Sequence, residues 1–197
     1  MFKDPPARER INSFALVAYI PEPLAGFLDR LRQELVPNCF LRAHVTILPP
    51  RPISSTPEAA WKVVQELVPR SRPFELQLAG VVVFPITDVI YVSVGQGSGD
   101  LRDLHDRLNT GALRYDEPYR FHPHITLAQE LKPDEVDELV TVAQTRWAEY
   151  RGQRRFRVDK TVFVQNTRRN VWLDLGECTL GQPGSNLVRE LTDLLVG

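Results

Sequence analysis

Residues 44–50 read His-Val-Thr-Ile-Leu-Pro-Pro, and residues 121–128 read Phe-His-Pro-His-Ile-Thr-Leu-Ala. Each stretch carries the same run of His, β-branched apolar residue, Thr and aliphatic residue: His44-Val45-Thr46-Ile47 and His124-Ile125-Thr126-Leu127. Two of the chain's four histidines are used in this way. A strand alternates its side chains, so His and Thr share one face while Val45 or Ile125 packs on the other. An imidazole that titrates near neutrality beside a hydroxyl donor is useful chemistry, and having it twice points to an acid and a base.

Outward from these motifs the chain reads as two copies of one plan. Phe14 to Ile20 is a strand-like apolar run, followed by a helix with Pro23 near its start and Leu24, Phe27, Leu28, Leu31 and Leu35 on one face. Cys39 to Leu48 is a strand stopped by Pro49-Pro50; Thr56 caps a helix opened by Pro57, with Ala60, Val63, Val64 and Leu67 inward. Phe74 to Phe84 closes the half as a strand. The order then recurs: a strand at Val89–Val94, a helix capped by Asp100 with Leu101, Leu104 and Leu108, and a strand at Tyr119–Gln129. A helix opened by Pro133, with Val136, Leu139, Val140 and Ala143 inward, leads to a strand at Phe156–Val164. A strand at Val171–Leu175, turned across Asn166–Asn170, and a helix from Ser185 complete the chain. The expectation is one domain over 1–197, with lobes from about 13–85 and 86–165 and an added strand and helix in 170–196. Two similar lobes bring the motifs, eighty residues apart in sequence, to one shared cleft.

With 43% apolar and 25% charged residues, this is the balance of a folded, water-soluble chain. No apolar run approaches membrane-spanning length, and the charged, Pro-bearing start lacks a signal core, so a cytoplasmic protein without membrane attachment is expected. Cys39 and Cys178 read as reduced, buried thiols. Between Arg146 and Arg169 eight basic residues face only Glu149 and Asp159. That stripe either attracts phosphates or guards a solvated strand edge.

The motifs, the duplicated plan and the length resemble the two-histidine phosphoesterases, in particular their 2′-5′ RNA ligase branch. The resemblance covers about Ser13 to Val164; Phe121–Ala128 is the stronger match and His44–Pro50 also fits. It implies an α+β, bilobal duplicated fold whose two antiparallel sheets line a central cleft with helices outside. It implies hydrolysis or transfer at RNA-type phosphodiesters, notably 2′,3′-cyclic phosphates and 2′-5′ linkages, without metal or other cofactor. His44 and His124 would be the acid–base pair, and Thr46 and Thr126 would donate to non-bridging phosphate oxygens. Two positions depart from the commoner pattern: relatives often carry Arg where His122 and Gln129 stand.

The chemistry suits these residues. Opening a cyclic phosphate removes a proton from the attacking water and delivers one to the departing ribose oxygen; two groups with an unperturbed pKa of about 6.5 can do both. Hydroxyl donors stabilise charge that builds on the phosphoryl oxygens. Arg42 and Arg120, two and four residues before their histidines, share the motif face if the strands are regular, and either could clamp phosphate or reach solvent. His122 shares His124's parity and reads as a phosphate-contacting or cleft-wall residue; a His-x-His metal site with Asp116 or Glu117 nearby lacks a third ligand at a convincing spacing. Phe121, Tyr115 and Tyr119 could stack a base or sit in the core. His105, among Leu101, Leu104 and Leu108, reads as packing, and Gly95-x-Gly97-x-Gly99 as a turn. Three functions remain open: hydrolysis of cyclic or 2′-5′ diesters, the joining reaction, and a nucleotide- or RNA-binding module with little turnover. RNA ends or cyclic nucleotides are the expected ligands; no protein partner is legible, and a monomer is the expectation.

Overall fold

The computed structural model describes residues 9–182. In chain order the elements are β1 (Arg10–Tyr19), α1 (Leu24–Leu35), β2 (His44–Arg51), α2 (Pro57–Leu67), β3 (Phe74–Val83), β4 (Ile90–Val94), α3 (Ser98–Leu108), β5 (His124–Ala128), α4 (Val136–Glu149), β6 (Arg155–Val158), β7 (Lys160–Thr167) and β8 (Trp172–Thr179). The fold is α+β, built on two four-stranded antiparallel sheets ordered β2-β1-β7-β8 and β5-β4-β3-β6. No described helix is long and apolar enough to cross a membrane.

Periodicity decides the faces. In β1, Phe14, Leu16 and Ala18 enter the main core, while Ala15 and Val17 join a small second cluster on the opposite face. Helix α1 buries Leu24, Leu28, Leu31 and Leu35 at helical spacing. Thr56 caps α2 by accepting the Ala59 N–H at 3.2 Å, with Pro57 at the first position. The principal core runs without a break from Leu16 and Ile47 of one sheet to Leu76, Val92 and Ile125 of the other. Helix α1 packs against β5, and α3 against β2.

The duplicated plan is present, but the halves exchange their third strands. β3, from the first half, pairs with β4 and β6 in the second sheet; β7, from the second half, pairs with β1 in the first. The sequence halves 13–85 and 86–165 therefore do not map onto the two sheets. The expected single strand Phe156–Val164 is two strands: the chain breaks at Asp159 and passes from one sheet to the other.

Other boundaries move for local reasons. β2 begins at His44 rather than Cys39, and it continues through Pro49-Pro50 to Arg51. It is an edge strand with a register shift opposite, between Leu16↔Leu48 and Phe14↔Arg51, and prolines are tolerated at an irregular edge. The strand expected at Tyr119–Gln129 shrinks to His124–Ala128. Helix α3 starts at Ser98 behind Gly97, not behind Asp100. Gly97 has φ +83°, and a Cβ there would lie 2.2 Å from the Glu75 carbonyl oxygen, so this glycine is a required close approach. Helix α4 begins at Val136, with Pro133 in the preceding turn. Cys178 is buried as expected, whereas Cys39 is only half-buried; both are free thiols. The helix expected from Ser185 lies outside the described residues.

Candidate active site

Each motif sits at the start of an edge strand, β2 or β5, and these two strands approach one another with Cα atoms within 8 Å. Residues 41–48 and 121–128 share one pattern of exposure along the chain, position for position. Val45, Ile47, Ile125 and Leu127 are buried, which leaves His44, Thr46, His124 and Thr126 on the opposite face. Among the described residues, neither threonine hydroxyl is taken by a protein partner.

The two imidazoles are anchored identically. His44 Nδ1 lies 2.7 Å from the Arg42 carbonyl oxygen, and His124 Nδ1 lies 2.6 Å from that of His122. A carbonyl only accepts, so Nδ1 carries the proton in each ring and donates, leaving Nε2 as the nitrogen with a free lone pair. Burial pulls His44 down to about 4, against the hydrogen bond to Arg42 and with help from the positive charges of Arg32, His124 and Arg42. Burial also lowers His124, opposed by its bond to His122 and reinforced by the charge of His122. Both rings are therefore neutral near pH 7. A phosphodiester anion placed beside them would push both values back up.

Around His44 the wall is charged. The Arg42 guanidinium lies 3.6 Å above the Tyr19 ring and reaches Asp174 Oδ2 at 3.4 Å, while Tyr19 donates its hydroxyl to Asp174 Oδ1 at 2.5 Å. Burial and that carboxylate hold the Tyr19 phenol protonated, well above the usual range. Around His124 the wall is aromatic. Phe84 and Tyr91 stack at 3.9 Å, and His122 and His124 both meet the pair edge-on, His124 at 5.1 Å from Phe84 and 5.3 Å from Tyr91. Burial lowers His122 as well, helped by Arg102.

The loops that deliver the motifs are braced from beneath. Buried Arg32 of α1 donates to the carbonyls of Leu41 and Arg42, at 3.2 and 3.4 Å. On the other side, Arg51 is 2% exposed and donates to the Pro49 and Leu113 carbonyls, to Asn109 Oδ1 and to Glu117. Glu117 also meets His105 Nε2 at 2.8 Å, and the His105 ring stacks flat on Phe121 at 4.0 Å. His105 is buried, as its helical face implies, yet it also ties the segment before the second motif.

Not every expected residue arrives. Arg42 and Arg120 lie outside their strands, so strand parity does not place them. Arg42 lies beside His44 through its contacts with Tyr19 and Asp174; Arg120 is exposed in the loop before β5. Of the three aromatic residues considered for base stacking, Phe121 is occupied by His105, Tyr115 sits over Arg51, and Tyr119 is 64% exposed. Among the described residues no three His, Cys, Asp or Glu side chains gather as a metal site. Tyr19, Asp174, Phe84, Tyr91 and Ser93 also surround the two rings, and no motif in the sequence marks them. Only pairing could have revealed them, since Tyr19 stands opposite His44 and Ser93 opposite His124.

Comparisons with known proteins agree with this architecture. A protein of Oceanobacillus iheyensis named as a phosphoesterase is 35% identical over 89 residues, spanning 45% of this chain and 49% of that protein. An RNA 2′,3′-cyclic phosphodiesterase of Aeropyrum pernix is 39% identical over 66 residues, 30% of this chain and 38% of the other. Among solved structures, E. coli LigT complexed with 3′-AMP superposes with a TM-score of 0.61 at 16% identity, covering 87% of this chain and 99% of LigT. LigT complexed with phosphate gives 0.59 at 17%, with 88% and 99% covered, which at this identity speaks to the fold. The family description that matches residues 20–170 takes in both motifs and the whole second sheet, and by that match the chain belongs to the 2′-5′ RNA ligase superfamily, a group of two-histidine phosphoesterases.

Proposed function

We propose that this protein hydrolyses 2′,3′-cyclic phosphate ends of RNA or nucleotides, or the related 2′-5′ diesters, with His44 and His124 acting as an acid–base pair. The carrying observation is the matched pair of Nδ1-anchored imidazoles on two abutting edge strands. In the reaction, one neutral Nε2 takes a proton from the attacking water as the new P–O bond forms. The other ring, protonated once the phosphate anion is bound, gives its proton to the ribose oxygen as that P–O bond breaks, leaving a phosphomonoester and a free hydroxyl. Thr46 and Thr126 donate to the non-bridging oxygens, where charge accumulates. Arg42 and His122, flanking the two rings, are assigned to phosphate contact. Two imidazoles suffice for both proton transfers, so the reaction is expected to proceed in EDTA.

The test is a panel of 2′,3′-cyclic nucleotides and short 2′-5′ oligonucleotides, assayed with and without EDTA. His44→Ala and His124→Ala should each lose about 10²–10⁴-fold in kcat, and Thr46→Val or Thr126→Val about 10²-fold. Undiminished turnover in both histidine variants would refute the assignment.

A further inference from the structure

The face of the second sheet that carries His124 and Thr126 extends well beyond the residues the reaction uses. Register fixes what it presents. Leu76, Leu78, Val92, Ile125, Phe156 and Val158 point into the core, so their neighbours point away. His124 pairs with Ser93, Thr126 with Tyr91, and Tyr91 with Val82. Beyond the irregularity between Leu78 and Val81, Gln77 pairs with Arg155 and Glu75 with Arg157. One continuous surface therefore leads from His124 across Tyr91, Ser93 and Gln77 to two arginines on the edge strand β6. Tyr91 is buried and Ser93 and Gln77 are half-buried, while the flanks are open: Val82 is 39% accessible, and Ala79, Glu75, Arg155 and Arg157 are all exposed. The matching face of the first sheet is closed, with Ala15, Val17, Val162 and Val164 buried beside Tyr19 and Trp172.

The basic stripe of residues 146–169 sorts itself by contact. Arg146 is bound to Glu34, Arg154 to the Trp147 and Tyr150 carbonyls, Lys160 to Glu177 and Arg169 to Glu9. Arg157 is 4.0 Å from Glu75, an exposed pair worth little. Among the described residues Arg155 has no carboxylate partner.

The geometry points to this face as a track for a single-stranded RNA, continuing from the reacting end at His124 to phosphates at Arg155 and Arg157. The inference rests on the reading of the site given above and names the substrate as an oligonucleotide. Three strand spacings separate β5 from β6, about 14 Å. A mononucleotide seated at His124 brings no second phosphate to that edge, whereas a longer strand does. Cationic side chains along a surface that begins at stacked aromatic rings are what a sequence-tolerant single-strand site requires.

The test compares 2′,3′-cyclic AMP with a pentaadenylate ending in a 2′,3′-cyclic phosphate. The proteins are the wild type, Arg155→Glu/Arg157→Glu and Arg155→Lys/Arg157→Lys. Glu keeps a charged, aggregation-resistant edge but repels phosphate, so it separates the track from mere edge protection. The expected result is unchanged kcat/KM on cyclic AMP for both variants. On the pentamer, KM should rise at least about tenfold with Glu and stay near wild type with Lys. Pentamer binding by fluorescence anisotropy should lose about 1.4 from its log–log salt slope with Glu, two contacts at ~0.7 each. Equal losses on both substrates, or no loss on the pentamer, would overturn the track. If the wild type turns over neither substrate, the catalytic reading fails alone. The anisotropy then still decides: salt-sensitive binding lost with Glu upholds the track, and binding indifferent to Glu overturns it.

Discussion

Replacing Arg32 by Gln would remove one positive charge beside His44 and loosen two hydrogen bonds on the carbonyls of Leu41 and Arg42, without touching the second motif. The His44 pKa should therefore rise from about 4 in an NMR titration of the ring protons, yet stay well below the free value because burial, the larger cause, persists, while His124 stays put. A related prediction concerns acid. His44 and His124 both titrate below their unfolded value, so as pH falls below about 6.5 the unfolded chain binds protons that the folded chain refuses, down to about 4 in the case of His44. Stability should be insensitive to these groups above pH 6.5 and decline as pH falls toward 4. His44→Gln should flatten that decline in thermal melts recorded across the range; an unchanged slope would count against the burial of this ring. The two rings and two hydroxyls were legible in sequence because alternation along a strand is a local rule. The Arg42–Tyr19–Asp174 cluster was not, since it depends on how β7 and β8 align, more than a hundred residues away.

At the level of elements, the loop before β5 hangs on one buried ion pair. Arg51→Met would strand Glu117 with His105 as its remaining partner, and removing one member of a buried pair costs about 3–5 kcal/mol. Chemical denaturation should show that loss, and the surviving folded fraction should be slow in catalysis because Phe121 and the second motif lose their brace. Gly97→Ala is the parallel case in the backbone, combining a left-handed φ with a clash on Glu75; destabilisation of at least about 1–3 kcal/mol is expected. Helix faces and the Thr56 cap were readable from residue spacing. Strand limits were not, where proline tolerance at an edge extended β2 and where residues 119–123 traded strand pairing for side-chain anchoring.

Across the whole molecule, the reciprocal exchange of β3 and β7 means that neither half can complete a sheet alone. A chain cut in the turn between Phe84 and Val89 should yield two fragments that are unfolded apart and regain the circular dichroism of the parent when mixed. Independent folding of either piece would contradict the observed pairing. The repeat itself was visible in the order of elements; the exchange was invisible because a strand's partner is set by contacts far along the chain. A backbone carbonyl beneath each imidazole fixes a tautomer while adding no net charge, unlike the carboxylate of a serine-protease triad. Neither ring is thus committed beforehand to giving or to taking a proton. In the proposed reaction, whichever oxygen lies beside each ring would assign the duty, and the same constellation would serve bond making as well as bond breaking, with the supply of water or of a ribose hydroxyl choosing the direction.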